Sequence, residues 1–430
     1  MTFHPSIKTV RSLAIALGLG LLSGPLMARA ADDVTGQLTI LNWMGGSELD
    51  TMHALQQGFL AKHPGVTIKE VPVTASGEPT GAIRAIIMGG EKIDLMPSAW
   101  PSLRNEFVAA GLARNLDDVW AAHDWDKALT PAWKKFGSAP DGHVYGIPYT
   151  FGNRSGLWYR IDTFKKAGIE PPKTWDEFVA TFAKLKAAGI NPVEVPAKVW
   201  AQQEWWHNFM IRVGGADFMA KLGRHEVAWT DPLVKQAWQK FAEMLKSDCC
   251  APAATMLGTE WDVAADNVLK LGTSGYVLIG MWVNNRAISD YGLKEGVDYG
   301  FIPFPAMGLG HDNAATIDGK EYVAFNGPNP KAADAFLDYV VSAEGANIIA
   351  KSGMPSTSSN VDLSLYGPVV QKSMQTIGPD SEVIQVLADT MPVELALEVH
   401  TQLQKLIQDP SDATIDAALA DLEAKAKDVY

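Results

Sequence analysis

Gln37–Trp43 reads QLTILNW, an apolar, β-branched run that ends on an indole and opens into Met44-Gly45-Gly46-Ser47-Glu48. Helical spacing follows over Leu49–Lys62, and Val66–Val73 (VTIKEVPV) then alternates as a strand does. Thr80–Met88 has helical spacing again. The short apolar run Ile93–Met96 comes next, with a helix over Ser102–Ala110 behind it. Strand, helix and strand in repeated succession predict an α/β fold with a largely parallel sheet.

Beyond this stretch the chain becomes richer in helix. Gly156–Tyr159 reads as a strand and Thr174–Ala188 as an amphipathic helix. Thr174 and Glu177 have the spacing of a capping box, and Gly189 is the natural stop. Helices are predicted over Val199–Val213, Pro232–Ser247 and Trp261–Lys270. Strands are predicted at Tyr276–Ile279, Tyr299–Pro305 and Lys320–Phe325. The last hundred residues read mostly as helix: Pro330–Val341, Gly367–Ile377, Pro392–Ile407 and Asp412–Lys427. No Ser/Gly linker divides the chain, as expected where two lobes share several crossings.

With 430 residues the chain exceeds one average domain, and 47% apolar against 20% charged residues is a globular balance. The net charge of −13 offers no footprint for a phosphate backbone, so nucleic acid is not an expected partner. Lys8 and Arg11 precede an apolar run from Leu13, with Ala28-Arg29-Ala30 after it: a signal peptide over residues 1–30, cut after Ala30. The run is too short to span a bilayer, and no cysteine follows for lipidation. Cleavage takes the charge from −13 to −16, and a soluble periplasmic protein is expected.

The chemical motifs are mostly negative. Nine scattered histidines form no HExxH, the adjacent Cys249 and Cys250 belong to no zinc set, and no phosphate loop occurs after the leader. Neither metal nor cofactor is expected. Bridged neighbouring cysteines are strained, so these two are expected to be unbridged. Gly152-Asn-Arg-Ser155-Gly156 misses the serine-hydrolase elbow by one position.

The positive signal is tryptophan, 14 in all. Indole offers a flat apolar platform to the C–H face of a sugar ring, while carboxylates and amides take its hydroxyls. Trp43, Trp100, Trp205-Trp206 and Trp282 all sit beside polar residues at element ends. Neighbours on a helix diverge by about 100°, so Trp205 and Trp206 cannot both face one core, and one is expected in a cleft. Glu48 and Asp318 also have bland readings, as a helix-dipole complement and a turn aspartate.

Val144-Tyr-Gly-Ile-Pro-Tyr149, Gly156-Leu-Trp-Tyr-Arg160, Phe164-Lys-Lys-Ala-Gly168 and Pro171-Pro-Lys-Thr-Trp-Asp-Glu-Phe178 follow one another in order. Gly280-Met-Trp282, Asp298-Tyr-Gly-Phe-Ile-Pro303 and Asn329-Pro-Lys-Ala-Ala333 continue the series. In this order and spacing the chain resembles the extracellular solute-binding proteins of ABC sugar importers, the maltose- and glucose-binding class. The resemblance implies a two-lobed periplasmic binding protein fold, a hinge, and two mostly parallel sheets flanked by helices. Residues 31–150 plus about 297–350 would form one lobe, and 151–296 plus about 351–430 the other. It implies a monomeric binder, not an enzyme, that hands a neutral sugar to a membrane permease.

By position, the resemblance implies ligand contacts at Trp43, Glu48, Trp100, Asn153, Trp205, Trp206, Trp282, Asn284 and Asp318. Asn153 is an amide where maltose binders carry a carboxylate. Three alternatives stay open: a secreted glycosidase, a polyamine or quaternary-amine binder, and a binder of an anionic sugar derivative using Arg104, Arg154 or Arg286.

Overall fold

Among the described residues ten strands, β1 (Gly36–Asn42), β2 (Val66–Pro72), β3 (Leu95–Ser98), β4 (Gly146–Asn153), β5 (Gly156–Arg160), β6 (Asn191–Glu194), β7 (Ser274–Leu278), β8 (Tyr299–Pro303), β9 (Ala314–Ala324) and β10 (Glu382–Gln385), form two sheets. This computed structural model describes residues 34–73, 79–378 and 381–430. The leader read from the sequence lies outside the described residues.

The first sheet runs β10-β9-β3-β1-β2, with β4 also paired to β9. Its opening βαβ unit is the one read from QLTILNW: β1 pairs in parallel with both β2 and β3. Leu38, Ile40 and Leu41 are fully buried, because helices cover both faces of a parallel sheet. The second sheet runs β6-β7-β5-β8. Here β6–β7 is parallel, but β5 pairs antiparallel with both β7 and β8. The α/β architecture is as expected, but the second sheet is not the mostly parallel one expected, since two of its three pairings are antiparallel.

Lobe boundaries differ from expectation in two places. β8 was expected with the first lobe, but it is an edge strand of the second, paired along its whole length with β5. Its Phe301 and Ile302 are buried there. β10, expected with the second lobe, pairs in parallel with the start of β9 in the first sheet. The chain therefore crosses between the sheets at Asn153–Gly156, again between β8 and β9, and again after β10.

The helix Trp175–Ala187 starts as its sequence says. Thr174 accepts the Glu177 N–H and Glu177 reaches back to the Thr174 N–H, a complete capping box worth about 1 kcal/mol. The second lobe is built around the long helix Gln203–Gly223, which Pro232–Lys246, Val393–Gln408 and the second sheet enclose. Trp205 lies against Phe178, Phe209 and Phe304, and Trp206 stacks on Trp229 at 5.7 Å. The divergence of neighbouring indoles holds, but from Gln203 to Val213 this helix is buried all round, so both find core partners. Contrary to expectation, Cys249 and Cys250 are joined as a disulfide, with Cys249 fully buried.

Candidate functional site

A cavity of about 160 Å³ lies between the lobes. The first lobe supplies Trp43 just after β1, Trp100 after β3, and Asp318 and Lys320 from the middle of β9. Loops beyond the carboxyl ends of parallel strands are where α/β folds place ligand sites. The second lobe supplies Trp200, Gln203, Trp261 and Trp282, with Asp389, Leu397 and His400 from the C-terminal helices. Arg154, in the β4–β5 crossing, forms part of the floor.

Five indoles line this space. Trp43 and Trp100 meet at 4.6 Å, with Trp43 Nε1 donating to the Pro97 carbonyl at 2.6 Å. Across the cavity, Trp282 contacts Trp200 and, edge to face, Trp261, each at 5.9 Å. Trp282 Nε1 is buried and has no hydrogen-bond partner among the described residues, leaving an unsatisfied donor at the wall.

Four of the charged groups in the cavity are paired with one another. Lys320, buried on β9, binds the Glu48 carboxylate and lies 5.6 Å over the Trp282 ring. The Arg154 guanidinium is 4% exposed and sits 4.6 Å over the same ring. It donates from Nη1 to Asp318 Oδ2 at 3.2 Å, and from Nε and Nη2 to the two oxygens of Glu204. Burial opposes the charge on Arg154, but Glu204 and Asp318 outweigh it and raise its pKa. Burial lifts the Glu204 carboxyl, and Arg154 pulls it back toward the anion. His400 Nε2 donates to Gln203 Oε1 at 2.7 Å, and burial pushes the His400 pKa down to about 4, so it is neutral at pH 7.

Of the residues expected to bind ligand, Trp43, Glu48, Trp100, Trp282 and Asp318 line the cavity. The structure does not bring Trp205, Trp206, Asn153 or Asn284 to it. The two tryptophans are in the second-lobe core. Asn153 braces the crossing instead, donating to the Ser373 carbonyl at 3.2 Å and to Thr376 Oγ1 at 2.6 Å. Asn284 turns inward to the Gly353 carbonyl, Glu295 and Tyr299. Of the three candidate arginines only Arg154 lines the cavity. Arg104 is spent on Glu321 inside the first lobe, and Arg286 on Asp266.

Trp200, Trp261, Gln203, Lys320, Asp389 and His400 were not singled out in the sequence as site residues. Trp200 and Trp261 had a usable signal, since each is an indole at the start of a predicted helix, like those that were singled out.

Residues 45–347 match the family described as bacterial extracellular solute-binding protein. Among relatives, a "Probable sugar-binding periplasmic protein" of Mesorhizobium japonicum is 27% identical, with 74% of each chain covered. An ABC transporter extracellular-binding protein of Pyrococcus horikoshii is also 27% identical, over 70% of this chain and 69% of the other. The solved bacterial solute receptor AcbH, described as exclusive for β-D-galactopyranose, superposes with a TM-score of 0.82 at 23% identity. That match covers 92% of this chain and 99% of the receptor. Maltose-bound MalE3 of T. maritima gives 0.75 at 18% identity, covering 92% and 100%.

Proposed function

The chain belongs to the bacterial extracellular solute-binding proteins, and from that premise we propose that it captures a neutral sugar between its lobes for an ABC importer. The observation that carries this reading is a cavity walled by five indoles in which Glu48 is paired with Lys320 and Asp318 with Arg154. Paired ions still donate and accept hydrogen bonds, which suits hydroxyls, and bonds to charged groups are about twice as strong as neutral ones. Indole faces suit the C–H surface of the ring. A cationic ligand is less well served, because Arg154 and Lys320 already lie over the Trp282 ring.

Trp43, Glu48, Trp100, Trp282 and Asp318 are the proposed contacts from the original set, joined by Arg154, Trp200, Trp261, Gln203 and Lys320. The sugar-binding names of the relatives and the galactopyranose and maltose of the solved receptors support the same ligand class. Ligand held by both lobes stabilises the closed form, and that form docks on the permease. We place the mature protein in the periplasm as a monomer, cut after Ala30.

Intrinsic tryptophan fluorescence, titrated with mono- and disaccharides, polyamines and sugar phosphates, tests this. A saturable shift with a neutral sugar, recovered intact, is expected. A response confined to a polyamine or a phosphate would overturn the ligand class.

A further inference from the structure

Glu204 does not line the cavity, yet it holds the group that does. It stands in the first turn of Gln203–Gly223, where the helix N-terminus favours an anion. Its two oxygens accept from Nε and Nη2 of Arg154, a two-point contact that only an ionised carboxylate can accept from both nitrogens. Asn208, one helical turn on, fixes the backbone of both partners, its Nδ2 donating to the Arg154 and Glu204 carbonyls, each at 2.9 Å. Asp318 takes the remaining side of the guanidinium from the other lobe. Arg154 thus faces the cavity with its direction set by Glu204 and its charge offset by two carboxylates.

Resting on the sugar-binding reading above, we propose that Glu204 is a positioning residue that makes the site select neutral sugars over their acidic analogues. A guanidinium with one counter-ion can still recruit a carboxylate or phosphate. With two, it donates hydrogen bonds to a hydroxyl while an incoming anion meets the field of Glu204 and Asp318. Of the ring substituents only the charged one is rejected, so a hexose and its uronic acid, alike except at C6, report the effect directly.

The test is calorimetric titration of the full chain with D-glucose, D-galactose, D-glucuronate and D-galacturonate, for wild type, Glu204→Gln and Glu204→Asp. Wild type is expected to prefer a hexose over its uronate. Glu204→Gln should narrow that preference about tenfold or more, since a buried countercharge is lost. Glu204→Asp, which keeps the charge, should largely retain it. A merely structural Glu204 would lower the melting temperature and weaken both ligands alike, leaving the ratio unchanged, and that result overturns the proposal. Should Glu204→Gln fail to fold, Asp318→Asn removes the other countercharge and must narrow the ratio in the same direction. If neither hexose binds, the neutral sugar that shifts the tryptophan fluorescence and its uronate take their place; a chain that responds to no neutral sugar removes the premise itself, an outcome distinct from an unchanged ratio in a variant that binds.

Discussion

Acid should unfold this protein partly through His400, at the cavity wall. The imidazole is buried and burial pushes its pKa down to about 4, whereas in an unfolded chain it titrates near 6.5. Between those values the unfolded chain binds a proton that the folded chain refuses. Stability from this residue is therefore fully present above pH 6.5 and is lost as pH falls toward 4. The interval converts to about 3 kcal/mol in total, of which about 2 kcal/mol is gone by pH 5. His207, with neither ring nitrogen hydrogen-bonded among the described residues, is held neutral by burial and by nearby Arg154, and adds a loss of the same sign.

Urea unfolding of wild type and His400→Gln, followed at about pH 7.5 and about pH 5, isolates the effect. Glutamine can still donate to Gln203 but does not titrate. The stability advantage of wild type over the variant should shrink by about 2 kcal/mol on acidification. An advantage that stays constant, or grows in acid, would refute the reasoning.

Two further outcomes separate the site from the core. Trp282→Ala should cost the folded fraction about 2 kcal/mol of ligand affinity, roughly thirtyfold by calorimetry. Trp206→Ala should lower unfolding stability by about 3–5 kcal/mol in urea while the folded fraction keeps its affinity. Inside the first lobe, Arg104 and Glu321 form an ion pair 2.5 Å apart, with both side chains almost wholly buried. Glu321→Gln leaves the Arg104 charge underpaired and should cost about 3 kcal/mol by chemical denaturation, despite the lack of any contact with the cavity.

The first lobe was legible because its periodicity is plain: QLTILNW and the helix after it could hardly be read otherwise. The same periodicity placed Trp43 and Glu48 after β1 and Trp282 after β7, where open strand ends leave side chains free. Trp205 and Trp206 were misread because a helix pattern does not reveal how many of its faces will be covered. Asn153 and Asn284 look like ligand amides in one dimension, but their partners, Ser373, Thr376 and Gly353, lie far along the chain. Asp389 and His400 carried no signal, since they belong to C-terminal helices whose arrival at the cavity is decided by tertiary packing. Arg154 was visible as a cation but not as a neutralised one, because Glu204 and Asp318 are 50 and 164 positions away.

β9 carries two of the cavity's ions on one eleven-residue strand. Side chains alternate along it, so Asp318 and Lys320 face the ligand space while Gly319 and Glu321 face the opposite side, against Phe136 and Arg104. With β3, β4 and β10 paired along it, the strand cannot slip by one residue without exchanging the two sets. Inheritance is thereby divided between 318 and 320 on one face and 319 and 321 on the other. Positions 318 and 320 can vary to suit a different solute where their partners Arg154 and Glu48 vary with them, whereas 319 and 321 cannot change without loosening the lobe. Relatives that have changed cargo should differ at 318 and 320 and agree at 319 and 321.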